Sequence, residues 1–173
     1  MDDQRGWKMW WHKFRWYERN RRFLNRWRLN RHMAKSGAYI RFPVEGEVLE
    51  ALDTGRLSLG QGTLLEPGCW ITLAPDATIS VGGGCFLNRG VMLAAHDRIE
   101  IGDHVMFANN CFVGDADHRH DDPDKPVTWQ GFVPRGPVRI GSNAAWSVTF
   151  TSIFEETSPF WSRKTYVLCA ATG

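Results

Sequence analysis

The chain has 173 residues, 43% of them hydrophobic and 23% charged, enough apolar side chain for one packed domain and too much for a disordered chain. Its formal net charge of +2 conceals a split: residues 1–40 carry 11 Lys/Arg against 3 Asp/Glu, while residues 41–173 carry 10 against 16, so a basic arm precedes an acidic body. There is no apolar run of the ~18 residues a membrane span needs and no apolar leader, and Cys69, Cys85, Cys111 and Cys169 show no paired spacing, so a reducing cytoplasm is the expected compartment, without disulfides or a zinc knuckle.

The arm, residues 1–37, holds five of the nine tryptophans. Trp7, Trp10, Trp11, Phe14, Tyr17, Leu24 and Trp27 recur mostly at steps of three or four with Arg and Lys between them, which predicts a basic amphipathic helix over 7–33. Such a helix can pack across the body or a sibling subunit with its arginine stems on apolar surface. It can also rest on the anionic inner face of a membrane as a peripheral anchor. Nucleic acid is not an expected partner, since no recognition motif accompanies the charge.

The body, residues 38–146, is a repeat. Leu57-Ser-Leu-Gly60, Ile79-Ser-Val-Gly82, Ile99-Glu-Ile-Gly102 and Val138-Arg-Ile-Gly141 share one phrase, spaced by 22, 20 and 39 residues. Within each period a step of six appears, with an eight where two residues enter a corner. Its anchors are Leu59, Leu65, Leu73, Val81, Leu87, Leu93, Ile101, Phe107 and Val113. Small or slender side chains follow most anchors by four: Thr63, Cys69, Ala77, Cys85, Val91, Val105 and Cys111. A step of six suits a short strand plus a tight corner, so three faces make one coil of about 18–20 residues. The cysteines in the small slot are expected to be core fillers and not reactive thiols.

The pattern aliphatic-Gly-x-x-small resembles the hexapeptide repeat of left-handed parallel β-helix acyltransferases. The segment from Phe86-Leu-Asn-Arg-Gly-Val91 through Val113-Gly-Asp-Ala-Asp-His-Arg-His-Asp-Asp-Pro123 is similar to the maltose and galactoside O-acetyltransferase-like branch. The resemblance covers about residues 55–146. It implies an all-β fold, a left-handed parallel β-helix, to which the arm adds its N-terminal α-helix, and acetyl-CoA as cosubstrate. It further implies a homotrimer with sites between subunits and a sugar or glycan hydroxyl as acceptor.

Residues 114–137 interrupt the repeat with a polar insertion carrying Asp115, Asp117, His118, His120, Asp121, Asp122 and Asp124, and a loop of that length on a compact column points to function. The resemblance aligns Asp115-Ala-Asp-His118 with the family's Asp-x-x-His element and implies that His118 is the general base. An imidazole, ordinarily titrating at about 6.5, can take a proton from a hydroxyl as that oxygen attacks a thioester. His120 is the runner-up, and with Asp115 it joins the candidate substrate contacts. Asn88 matches the family asparagine that orients the acceptor or acetyl group, its amide offering both donor and acceptor. His96 and His104 precede the insertion and raise a γ-carbonic-anhydrase-like zinc protein as a further, lower-ranked alternative; His96 and His118 are 22 apart and His118 and His120 only two, which does not match that family's arrangement, and no metal is expected.

The repeat breaks after residue 141. An extra alanine precedes Trp146, the match for the family tryptophan near the pantetheine arm, and the tail, 147–173, has glycine only at its final position. The abrupt change suggests a frameshifted or prematurely ended product lacking the coils that complete a CoA pocket. That leaves a second expectation, a catalytically inactive β-helix serving as scaffold or assembly subunit.

Overall fold

The computed structural model describes residues 20–146. Trp7, Trp10, Trp11, Phe14 and Tyr17 of the arm, Cys169 and the 147–173 tail lie outside them.

Helix α1 (Phe23–Ser36) is closed by Gly37 at φ 72°, whose N–H donates to the Met33 carbonyl. The column then rises coil by coil. The first coil contains β1 (Tyr39–Ile40) and β2 (Glu45–Gly46), then helix α2 (Val48–Asp53) at a corner, then β3 (Leu57–Leu59). The second is β4 (Leu64–Leu65), β5 (Trp70–Leu73) and β6 (Thr78–Val81); the third is β7 (Phe86–Leu87), β8 (Met92–Ala95) and β9 (Arg98–Ile101). The fourth begins with β10 (Met106–Phe107) and β11 (Phe112–Gly114), leaves the column as β12 (Ala116–His118) and β13 (Phe132–Pro134), and rejoins it at β14 (Val138–Ile140). β15 (Ala145–Trp146) opens another turn.

Apart from β12 and β13, the strands pair in parallel with their counterparts in neighbouring coils, giving three sheets ordered β1-β4-β7-β10-β15, β2-β5-β8-β11 and β3-β6-β9-β14. This is the expected parallel β-helix, and it is consistent with the left-handed sense the resemblance implies. The register stacks like on like: Ile40, Leu65, Leu87, Phe107 and Trp146 form one ladder, and Ile71 and Leu93 meet Val113 in another. All nine predicted anchors and all seven small-slot residues are buried. The alternation of in and out along each strand follows the period of two, and stacking joins the coils into one continuous core.

The recurring glycine has a definite cause. A Cβ on Gly60 would lie 2.5 Å from the Gly82 carbonyl carbon, and one on Gly82 would lie 2.6 Å from that of Gly102. Neighbouring coils approach too closely there for any side chain. The turns nearby need the left-handed region, which Gly62, Gly84, His104 and Asn143 supply at successive levels of one corner. His104 therefore belongs to a corner that differs from the one where the insertion leaves.

The cysteines fill the slot assigned to them. Cys69, Cys85 and Cys111 are buried and free, and their thiols donate to carbonyls of the coil above: Cys69 to Asn88 at 3.4 Å, Cys85 to Gly102 at 3.1 Å and Cys111 to Trp146 at 3.5 Å. Burial pushes the Cys69 thiol from 9.0 up to about 12, outweighing the hydrogen bonds and helped by the Glu66 charge.

The lower end of the column is covered by the two helices. Leu29 and Met33 of α1, with Val48, Leu49 and Ala51 of α2, are buried against the first coil. Arg28 Nη2 meets Asp53 at 2.6 Å and His32 Nε2 lies 2.9 Å from the same carboxylate, tying α1 to the end of α2. The buried stripe of α1 is not the one the aromatic spacing marks, since Leu24 and Trp27 face solvent.

Candidate functional site

The insertion is an antiparallel hairpin, not an irregular loop. β12 and β13 pair Ala116 with Pro134, Asp117 with Val133 and His118 with Phe132, and the Arg119 N–H closes the next rung on the Gly131 carbonyl at 3.0 Å. The tip is ordered around Gln130. Its Oε1 accepts from the Asp122 N–H at 3.0 Å, and its Nε2 donates to the Asp122 and Lys125 carbonyls, both at 2.8 Å.

The hairpin is fastened at its root by Asp115. This carboxylate is wholly buried. One oxygen accepts from the His96 N–H at 2.6 Å and the other from the Asp97 and Arg98 N–H groups at 2.7 and 2.8 Å. Three amides of the coil below thus converge on one charge, a strong form of hydrogen bond. Opposite, the Arg135 N–H donates to the Asp115 carbonyl at 2.7 Å, and Arg135 Nε donates to Asp117 Oδ2, also at 2.7 Å.

A row of rings stands above this root. The Phe132 ring lies 4.1 Å from the His96 imidazole and 4.4 Å from that of His118, centroid to centroid. His118 is exposed, so a reagent at the hairpin can reach it while one side of its ring rests on Phe132. His120 points its Nδ1 back to the His118 carbonyl at 3.1 Å, which occupies that nitrogen locally. Phe132 and His96 were not singled out as partners of His118 by the sequence. The signal was present only as an aromatic residue 14 positions on, which becomes a cross-strand neighbour once the hairpin closes.

The other candidates lie elsewhere on the column. Asn88 sits at the corner between β7 and β8, half-buried, with its Oδ1 accepting from the Arg89 N–H at 2.8 Å. That is a different corner from the hairpin's, and among the described residues no hydrogen bond joins Asn88 to His118 or its neighbours. Trp146 takes the inward register of β15 opposite Phe107, with the rings 6.5 Å apart and 23° from parallel. It therefore extends the core ladder upward. Among the described residues no three His, Cys, Asp or Glu side chains converge as metal ligands.

The chain is thus a short parallel β-helix with one hairpin bearing an accessible histidine. No protein-family model matches it, and no solved structure does. Over 84 residues, 44% of this chain, it is 36% identical to a protein of Mycobacterium tuberculosis described as the probable acetyltransferase Rv3034c. The match spans only 28% of that relative's length.

Proposed function

We propose that the chain is an acyl-CoA-dependent O-acyltransferase, with acetyl-CoA as donor and a sugar or glycan hydroxyl as acceptor. One observation carries the reading: an exposed imidazole on a hairpin rooted by a buried carboxylate, on a coil fold similar in sequence to a probable acetyltransferase. His118 is the general base. It takes the acceptor's proton as the hydroxyl oxygen attacks the thioester carbonyl carbon, and a tetrahedral oxyanion forms. Collapse expels the CoA thiolate, which recovers the proton from the imidazolium, leaving the ester and free CoA. Asp115 acts by positioning, since both its oxygens are engaged by amides.

Asn88 and the hairpin depart from different corners, which favours a cyclic homotrimer in which one copy's His118 faces a neighbour's coil. Asn88 and His120 would then contact the acceptor, and Trp146 would support the wall beside the pantetheine arm. The test is release of free thiol from acetyl-CoA with a panel of sugars. His118→Ala should lower the rate by at least about 100-fold with folding intact. Release that His118→Ala leaves undiminished removes the base assignment. A wild type that releases none across the panel favours the scaffold.

A further inference from the structure

Helix α1 presents a second apolar face that nothing in the described chain covers. Phe23 is 83% exposed, Leu24 70% and Trp27 55%, while the opposite side of the same helix buries Leu29 and Met33 against the column. At about 100° per residue these three side chains fall within one arc, and Arg31, Lys35 and Arg28 continue it. Residues 20–40 hold six Lys/Arg and no Asp or Glu. Asp53 engages Arg28 and His32; Arg31 instead lies over the Trp27 ring at 5.6 Å. Trp27, Arg31 and Lys35 border one groove on this flank, together with the Arg28–Asp53–His32 cluster.

The geometry points to α1 as a docking helix for an anionic lipid bilayer: Phe23, Leu24 and Trp27 enter the headgroup boundary, and Arg31 and Lys35 meet lipid phosphates. Charge complementarity chooses this occupant. A protein partner for an exposed Phe-Leu-Trp arc would not require a helix stripped of carboxylates, whereas an anionic interface selects for that combination. Residues 1–19 add four further tryptophans and five Lys/Arg, against Asp2, Asp3 and Glu18. The side that holds α1 to the column is the side left free of this arc, so docking and folding do not compete. The inference does not depend on the acyl-transfer reading.

The test is co-sedimentation of the full chain with phosphatidylcholine vesicles and with vesicles one-third phosphatidylglycerol, at low and at high salt. The wild type should bind the anionic vesicles at least about tenfold more strongly, and salt should weaken that binding. Phe23→Ser, Leu24→Ser and Trp27→Ser combined should lower the binding at least about tenfold while circular dichroism and solution mass stay unchanged. Arg31→Gln with Lys35→Gln, which leaves the apolar arc intact, should weaken binding to the anionic vesicles alone. Equal binding to both vesicles, undiminished binding by the triple variant, or a triple variant whose oligomeric mass falls would each overturn the proposal. The last outcome would assign the arc to a second copy of this chain. Should the triple variant fail to fold, the charge variant decides, and undiminished binding by it overturns the proposal.

Discussion

Asp115 shows how one residue converts a polar insertion into a fixed element. Its side chain caps three amides of the coil below while its own backbone begins the hairpin, so the loop's origin cannot drift relative to the column. Asp115→Asn keeps one acceptor oxygen but turns an NH2 toward at least one amide N–H. The expected loss is about 2 kcal/mol of stability, read as a lower midpoint in thermal or urea unfolding. A midpoint unchanged from wild type would show that the amides find water instead. Cys69 makes a second prediction. Its thiol is raised to about 12 in the fold, above the ordinary value, so the neutral form is the one the native state favours. The stability it contributes is complete below about pH 9 and declines above it, as the unfolded thiol ionises first. The wild type should therefore lose stability more steeply than Cys69→Ala between pH 9 and the highest pH at which it stays folded. Parallel curves for the two proteins would contradict the assignment.

At the scale of the element, the recurrent glycine follows from coil-to-coil contact and not from turn conformation alone. Gly82 and Gly141 occupy the same place in the phrase, yet their surroundings differ. A Cβ on Gly82 would strike the Gly102 carbonyl carbon at 2.6 Å, whereas among the described residues nothing lies within 4 Å of one on Gly141. Gly82→Ala should destabilise by about 2 kcal/mol or more, and Gly141→Ala by under about 0.5 kcal/mol, both measured by chemical denaturation. A large effect at Gly141 would mean that further chain covers that end. The two insertions obey a common rule: α2 and the β12–β13 hairpin both leave the column between its second and third faces, one in the first coil and one in the fourth. That corner absorbs extra chain without disturbing the ladders on the strands either side.

At the scale of the molecule, the column has a closed lower end and an exposed flank. The helices shield the first coil, which answers the edge problem of a repeat array. Phe112 and Met106, 56% and 55% exposed on outward strand positions, leave apolar surface along two faces. If the proposed trimer forms, light scattering coupled to size exclusion should give three times the chain mass, and Phe112→Glu should reduce it to the monomer. A monomeric wild type would require Asn88 and His118 to act separately.

Much of this was legible before folding. A period of six, small residues four places after most anchors and a glycine closing each phrase describe coils whose inside and outside alternate. The burial of every anchor follows because a parallel stack places equivalent positions above one another. The insertion and the core role of Cys69, Cys85 and Cys111 were readable for the same reason, as departures from or fillings of the repeat, whereas His118 was a candidate only through the family resemblance. Contacts that depend on closure were not. Phe132 reaches His118 only when the hairpin pairs, and Asp115 finds the 96–98 amides only when one coil sits on another. Trp146 turns inward because β15 aligns with β10, and α1 buries Leu29 and Met33 instead of its aromatic arc because its exit at Gly37 orients the helix on the first coil. Local periodicity depends on neighbours along the chain, so the amino-acid sequence alone determined the column. The site's supports and the helix's outward face arise between residues 14 to 30 positions apart or more, and only the tertiary structure decided those.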